Sequence, residues 1–401
     1  MNEMSYIRVG TSYFKKVKAP TISGDFNKIL VPWNIDTIKQ DHGKTYVADV
    51  PKYDGFTCIP SHVHFQQVYS GFYNKYSPLK NKPEEGAIDA SILFVKHIFG
   101  NQFELGLDYL QLLYQKPVQI LPILCLVSKE RSTGKSTFLK WLKAIFENNL
   151  TYLTNDSFGS QFNSDWANKL LICIDEVLFN KEELTERIKY LSTTNHNKLE
   201  AKGKDKIEVE FFGKFILCSN NEDNFIRIDA SEERFWLRKV PKFNTEDTDL
   251  LVKLTQEIPA FLFFLQNRLL STPRATRMWF TPLQIRTKAL QKLIQHNRSR
   301  VEKELASILL VIIEKYSLEE INFCPQDAMF AINQTRVKTD LTQIRQLLKK
   351  EWKLTPKPNS LTYEKFVFWN KGEILRETDT GRFYTVKKEF LLENFDELMN
   401  E

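Results

Sequence analysis

The sequence predicts an α/β protein built around a parallel β-sheet that helices cover. The first observation is a series of short, continuously apolar runs, as expected of strands buried on both faces, at residues 120–127, 150–153, 169–175, 214–219 and 234–240. The second is that helical patterns separate most of these runs, which is typical of strand–helix–strand units. The third is that polar motifs follow the first, third and fourth runs, where parallel sheets bind ligands.

Length and composition suit a globular protein of two or three domains. The chain has 401 residues, of which 42% are hydrophobic and 26% charged. No run approaches the roughly 18 apolar residues that cross a bilayer. The first nine residues lack the apolar core of a signal peptide. We therefore expect a cytoplasmic protein with no membrane partner.

The cysteines and the net charge narrow the function classes. None of the five cysteines forms a CxxC pair or lies at zinc-finger spacing, so no zinc module is expected. Cys125, Cys173 and Cys218 lie inside apolar runs, where a thiol behaves as a small hydrophobe. The net charge of +6 is compatible with a nucleic-acid partner but does not require one.

The pattern along the chain predicts four parts. Residues 1–100 form a mostly α accessory or oligomerisation region that ends in a helix from Asp89 to a stop at Gly100. Residues 101–272 hold the sheet, a phosphate-binding loop and helices that cover them. Residues 273–305 form a basic connecting helix, and residues 306–401 a small C-terminal domain with helical stripes and two strand-like runs at 363–369 and 383–386. The sequence assigns no mechanism to residues 1–85.

The first strand is followed by the second half of a P-loop, Gly134-Lys135-Ser136-Thr137, which opens an amphipathic helix. Glycine lets backbone N–H groups approach phosphates, lysine reaches the β- and γ-phosphates of ATP, and the serine hydroxyl binds Mg²⁺. The predicted nucleotide-binding residues are Ser132, Thr133, Gly134, Lys135, Ser136 and Thr137. Lys129 occupies the position at which the motif usually has its first glycine, so the match to the P-loop pattern is incomplete.

Two further strands supply polar side chains at the same edge of the sheet. Asp175 and Glu176 end the third apolar run, where the aspartate would hold Mg²⁺ and the glutamate would orient the attacking water. Alone, these carboxylates would fit a helix N-terminus. Asn220 ends the fourth run and is expected between the P-loop and the acidic strand, able to sense the γ-phosphate.

Together these elements resemble the superfamily 3 helicases, in particular the ATPase part of phage and plasmid primase-helicases. The resemblance covers roughly residues 90–270 and rests on the order of the P-loop, Ile174-Asp175-Glu176, a basic hairpin, Ser219-Asn220 and Glu233-Arg234-Phe235-Trp236. It implies an AAA+-related ATPase that assembles as a ring, usually a hexamer, around single-stranded DNA. Replication-fork DNA would be its substrate, in a bacterial or phage-infected host cell.

The resemblance also assigns two groups of basic residues. The hairpin of residues 198–211 would grip the DNA backbone through Lys202, Lys204 and Lys206, although a solvated charged turn would have the same composition. Arg234 would be the arginine finger that a neighbouring subunit inserts, with Arg227 and Arg238 as alternatives. A simpler interpretation of Arg234 is an ion pair with a neighbouring glutamate.

The C-terminal domain resembles a winged helix, with three helices and a two-stranded wing. Basic residues flank the apolar stripe of its third helix: Arg345, Lys349, Lys350 and Lys353. Winged helices bind DNA or proteins, and the sequence leaves both open. No primase or polymerase constellation is visible, so a separate chain would have to supply that activity. The functions that fit are a DNA helicase, or an ATP-dependent initiator or loader that binds DNA without unwinding it.

Overall fold

The computed structural model describes residues 4–20, 26–179, 181–200, 202–203, 205–229, 232–369 and 373–395. The chain forms two compact units. The first runs from the N-terminus to residue 225 and resumes at 234–287; the second comprises residues 226–233 and 288 onwards. Within the described ranges, no helix combines the length and apolar character that crossing a bilayer requires.

The N-terminal region is mostly β-structure, so the prediction of a mostly α region was wrong. A four-stranded sheet in the order β3-β2-β1-β4 and a three-stranded sheet in the order β5-β7-β6 accompany two short helices. Their bounds are β1 Tyr6–Val9, β2 Ser12–Pro20, β3 Phe26–Trp33, α1 Ile35–His42, α2 Tyr46–Asp49, β4 Lys52–Tyr53, β5 Phe56–Thr57, β6 Val68–Tyr69 and β7 Phe72–Asn74. Most of these strands bury few side chains, so they lack the apolar runs that identify strands of a core sheet.

The central sheet contains the five predicted strands, all parallel, in the order β14-β8-β13-β10-β9. The elements of this region are α3 Asp89–Phe99, α4 Phe103–Gln115, β8 Ile123–Val127, α5 Lys135–Phe146, β9 Leu150–Leu153, α6 Asn155–Gly159, β10 Leu171–Ile174, α7 Glu182–Leu191, β11 His196–Leu199, β12 Ile207–Glu210, β13 Lys214–Ser219, β14 Phe235–Lys239, α8 Leu250–Gln256, α9 Ile258–Asn267 and α10 Pro282–Ile285. The prediction of a helix from Asp89 that stops at Gly100 is confirmed.

Helices α3, α4 and α5 pack on this sheet and form one apolar core with it. Trp141 of α5 and Trp236 of β14 are both fully buried there. The thiols of Cys125, Cys173 and Cys218 lie buried in three adjacent strands, as small hydrophobic side chains. Strands β11 and β12 form a separate antiparallel hairpin outside the sheet.

The C-terminal unit has its own core. Its elements are α11 Lys288–Asn297, α12 Arg300–Tyr316, β15 Glu320–Phe323, α13 Pro325–Asn333, α14 Leu341–Gln346 with a π-helical turn at Leu347–Glu351, β16 Leu361–Trp369, β17 Glu373–Gly381, β18 Tyr384–Lys387 and α15 Lys388–Phe395.

Two expectations for the C-terminal half were wrong. Residues 273–305 do not form one helix, because Ser299 caps a new helix by accepting a hydrogen bond from the N–H of Glu302. The strand-like run at 383–386 does not pair with the run at 363–369. Strand β18 pairs with β15, and β16 pairs with β17, a polar segment that was not predicted to be a strand.

Candidate functional site: a phosphate-binding loop and its acidic neighbour

The loop of residues 128–134 connects β8 to the N-terminus of α5. Gly134 has a φ of +85°, and a Cβ there would lie 2.9 Å from the Phe243 ring, so only glycine fits. Helix α5 begins at the next residue, Lys135. Its first N–H groups lack intrahelical acceptors and carry partial positive charge, which makes this helix N-terminus suited to a phosphate.

Lys129 takes the position of the missing first glycine without backbone strain. The left-handed residues of the loop are Ser132, with φ +56°, and Gly134, whereas Lys129 is not among the positive-φ residues. The Lys129 N–H donates to Oε1 of Glu222 at 2.9 Å, and its Nζ lies 2.6 Å from Oδ2 of Asp223. A glycine is therefore not required at this position, and the departure from the motif is compatible with the loop's shape.

Glu222, which was not predicted as a site residue, is a buried carboxylate that anchors the start of the loop. Besides the Lys129 N–H, it accepts a hydrogen bond from Lys239 Nζ at 3.0 Å. Burial raises the pKa of this carboxyl, but the hydrogen bonds from Lys239 and Lys129 outweigh burial and hold the pKa below its usual value. The ends of β8, β13 and β14 are thereby tied together beside the loop.

The Lys135 side chain is buried and folds back over the loop. Its Nζ donates to the carbonyl oxygen of Ser128 at 3.4 Å and to Oγ1 of Thr133 at 3.2 Å. Burial lowers the pKa of Lys135, and the nearby carboxylates, including Asp175, act in the opposite direction. The ammonium is thus held in the concavity of the loop, where a phosphate would replace neutral oxygen acceptors with charged ones.

Ser136 and Asp175 bring the P-loop helix and the acidic strand together. The Ser136 hydroxyl donates to Oδ2 of Asp175 at 3.0 Å. Two exposed oxygen ligands at this separation suit Mg²⁺, which binds one or two protein oxygens and completes its shell with water and phosphate. The next residue, Thr137, is half-buried in the first turn of α5.

The Glu176 backbone adopts a left-handed conformation, with φ +57°. Its N–H donates to Oδ1 of Asp175 at 3.1 Å, and its carbonyl accepts a hydrogen bond from Nδ2 of Asn155 at 3.2 Å. Oδ1 of Asn155 accepts a hydrogen bond from the N–H of Leu178, so the Asn155 side chain bonds to the backbone at both Glu176 and Leu178. The Glu176 carboxylate is exposed at the same edge of the sheet as the P-loop.

Asn220 follows β13, which lies between β8 and β10, as expected from the sequence. Its side chain is exposed at the carboxyl edge of the sheet. The preceding Ser219 donates through Oγ to the carbonyl oxygen of Val177 at 3.0 Å. The structure therefore brings Lys135, Asp175, Glu176 and Asn220 to one edge of the sheet.

Arg234 lies at the opposite edge. It immediately precedes β14, where Phe235 is in register with Ile123, the first residue of β8. The P-loop follows the other end of that strand, about 13 Å away at 3.3 Å per residue. Among the alternatives, Arg238 is buried and donates to the side chains of Asn101 and Gln102, while Arg227 is exposed in the second unit.

The hairpin β11–β12 lies just before β13 in the chain, and buried Asn163 holds it. The Asn163 Nδ2 donates to the carbonyl of Lys198, and its Oδ1 accepts from the Glu200 N–H. Lys202 is exposed at the tip, whereas Lys206 forms an ion pair with Glu200 at 2.7 Å. Lys204 lies outside the described residues.

An aromatic pair beneath the P-loop also escaped the sequence analysis. The His97 ring of α3 stacks on Phe243 at 4.0 Å between centroids, and its Nε2 lies 3.0 Å from the carbonyl oxygen of Thr133. Phe243 also donates its N–H to the carbonyl of Ser132 at 3.4 Å. No local sequence signal identifies His97 and Phe243, because their roles come from contacts between distant parts of the chain. For Glu222, the one local signal is its position two residues after Asn220.

Comparison with known proteins gives one partial family match and a similarity of fold. A family of unknown function, DUF5906, matches residues 126–238, which run from β8 to β14. No curated protein matches the chain. The apo structure of the NrS-1 C-terminal region (305–718) has a TM-score of 0.65 at 15% identity and covers 94% of this chain and 95% of that one. The A form of the same region has a TM-score of 0.62 at 16% identity, with 92% and 94% covered. At these identities the similarity establishes a shared fold.

Proposed function

We propose that this protein is a P-loop ATPase of the superfamily 3 type that translocates on single-stranded DNA and unwinds it during phage or plasmid replication. The observation that carries the proposal is the 3.0 Å hydrogen bond from Ser136 to Asp175 beside the buried Lys135. This bond joins helix α5, which follows β8, to the residue that follows β10. Strand β13, which precedes Asn220, lies between β8 and β10 in the sheet. This arrangement provides the parts that phosphoryl transfer requires.

The fold supports assignment of the central sheet to the AAA+-like class. The P-loop strand is flanked by the last strand, β14, on one side and by the sensor strand on the other. The fold similarity to the NrS-1 C-terminal region covers 94% of this chain, so it includes residues of both units. We assign the C-terminal unit to the winged-helix type, with β16–β17 as its wing.

In the proposed mechanism, Lys135 and the N–H groups at the start of α5 bind the β- and γ-phosphates of ATP. Ser136 and Asp175 would hold Mg²⁺, which when bound neutralises charge on the phosphate oxygens. Glu176 orients and polarises the attacking water, and Asn220 fixes its position from the adjacent strand. The Glu176 N–H donates to Oδ1 of Asp175, and the exposed side chain of Glu176 makes no part of that hydrogen bond.

The position of Arg234 supports the proposal that the protein assembles into a ring. The place of Arg234 at the sheet edge opposite the P-loop supports a role at the ATP site of a neighbouring subunit, and not at the site of its own subunit. A homo-oligomer, a hexamer by the family resemblance, would present Arg234 to the γ-phosphate of the neighbouring subunit. The hairpin tip with Lys202, Lys204 and Lys206 would then contact one DNA strand, and priming would come from a separate primase or polymerase.

The decisive test measures ATP hydrolysis with and without single-stranded DNA. Lys135→Ala should abolish hydrolysis, whereas Lys140→Ala, an exposed lysine on the same helix, should leave it unchanged. Light scattering establishes that both variants assemble like the wild type. Normal hydrolysis by assembled Lys135→Ala protein would refute the proposal.

The ion pair in the β11–β12 hairpin favours a second function, that of an initiator or loader that binds DNA without unwinding it. Because Lys206 pairs with Glu200, the hairpin has one lysine fewer to bind DNA phosphates. Lys202→Ala separates the two functions. A helicase should lose unwinding and keep its basal hydrolysis, whereas a loader should show no unwinding even as wild type.

A further inference from the structure

The outer half of the β2–β3 hairpin extends beyond the N-terminal sheet. Strand β1 pairs with Ser12–Lys15 of β2. Residues 17–20 pair with 26–29, and among the described residues no third strand lies beside them. We call this two-stranded segment, residues 17–20 and 26–29, the arm. Phe26 and Ile29 on the arm are 50% and 44% exposed.

The stretch of chain that contains the arm is basic, and the arm itself carries Lys18 and Lys28. The segment from residue 6 to 33 contains five basic residues and one acidic residue, Asp25, which lies outside the described residues. Lys18 and Lys28 are exposed, and no described carboxylate forms an ion pair with either of them. The mild net charge of the whole chain, +6, conceals this local concentration.

The register places Lys18 directly opposite Lys28 on one face of the arm. Like charges at directly opposed positions repel and destabilise a strand pair. The next pair on the same face is Pro20 opposite Phe26, so an exposed aromatic residue follows the two lysines on that face. By contrast, Lys15 on the other face is accommodated by the Trp33 ring, 4.5 Å from its Nζ.

We propose that the arm binds single-stranded nucleic acid, with Lys18 and Lys28 on the phosphates and Phe26 stacked on a base. A polyanion removes the repulsion between the opposed lysines, and an aromatic ring beside a basic row is the usual combination for single strands. Lysines also protect exposed sheet edges from aggregation. That role does not account for the exposed Phe26 and Ile29, which favour association. This site is separate from the ATP site and does not depend on the function proposed for it.

The test uses the full chain without nucleotide and a fluorescein-labelled oligo-dT, with binding followed by anisotropy at about 0.1 M salt. The double variant K18E/K28E removes two phosphate contacts, which should weaken binding at least about 10- to 30-fold and reduce the salt dependence by about 1.4 in log–log slope. The matched control K44E/K82E changes the net charge equally at exposed lysines outside the arm and should bind within about twofold of wild type.

Phe26→Ala distinguishes single strands from duplexes. Loss of a stacked base should weaken oligo-dT binding about fivefold or more and leave duplex binding unchanged. Unchanged circular dichroism and an unchanged midpoint of urea unfolding establish that the variants fold. Wild-type affinity in K18E/K28E, or equal losses in K18E/K28E and K44E/K82E, would overturn the proposal. An unchanged oligo-dT affinity in Phe26→Ala would exclude the single-strand mode.

Discussion

The left-handed backbone at Glu176 predicts that glycine is more stable than alanine at this position, although both substitutions lower the activity. Glu176 has φ +57° and an exposed side chain, so replacing it removes no core contacts. A non-glycine residue in this conformation costs about 1–2 kcal/mol, whereas glycine's greater freedom in the unfolded chain costs about 0.5–1 kcal/mol. Glu176→Gly should therefore be about 0.5–1 kcal/mol more stable than Glu176→Ala.

The control is the same pair of substitutions at Glu183, exposed in the first turn of α7. There glycine should be less stable than alanine by up to about 1 kcal/mol, so the two sites differ in sign. Stability is measured by urea unfolding followed by circular dichroism. The relevant transition is the one that a non-hydrolysable ATP analogue shifts, because a ligand stabilises only the unit that binds it.

Both Glu176 variants should hydrolyse ATP about 10²–10⁴-fold more slowly than wild type while binding the analogue with unchanged affinity. Glycine less stable than alanine at this position would refute the strain argument. An unchanged kcat in either variant would show that Glu176 does not orient the attacking water. The two results are independent, so each part of the reasoning can fail separately.

Three further predictions concern the same site. Ser136→Ala should raise the Mg²⁺ concentration for half-maximal hydrolysis at least about tenfold, because even residues that only hydrogen-bond to a metal ligand change metal affinity or activity 10- to 100-fold. An unchanged Mg²⁺ dependence would exclude Ser136 as a ligand. Glu222 has a folded-state pKa below its usual 4.5, so its charge stabilises the protein above that pH. Glu222→Gln should accordingly be less stable than wild type at pH 7, and urea unfolding should show the gap closing as pH falls through the folded-state pKa; a gap independent of pH would contradict this. Lys135→Ala and Arg234→Ala proteins should each be inactive alone, and mixing them should restore about a quarter of wild-type hydrolysis, because random assembly combines both intact residues at one interface in four; no recovery in mixed oligomers would argue against a shared site.

The strands of the central sheet could be predicted because each is buried on both faces and reads as an uninterrupted apolar run. The N-terminal strands and β17 could not, because strands in ribbons and small sheets keep polar residues on exposed faces. β17, Glu373–Gly381, carries mostly exposed polar side chains and is defined by its pairing with β16. Local composition does not distinguish such a strand from a loop.

The site shows the same division between local and long-range information. Lys135, Ser136 and Asp175 are recognisable because the chemistry requires those residue types directly after strands. Glu222 resembles a turn residue in sequence, and its role comes from Lys129, 93 positions earlier. The left-handed residue at Glu176 likewise arises from the surrounding hydrogen bonds and not from its own preference.

The distribution of thiols gives the protein a natural position for a single chemical label. Burial raises the pKa of the Cys125, Cys173 and Cys218 thiols, so alkylating reagents should not modify them in the folded protein. Burial raises the pKa of Cys58 to about 12 as well, and it raises the pKa of half-buried Cys324 in the second unit by a smaller amount, so Cys324 is the most reactive of the five thiols. A maleimide dye on Cys324 would therefore report on the C-terminal unit without any engineered cysteine.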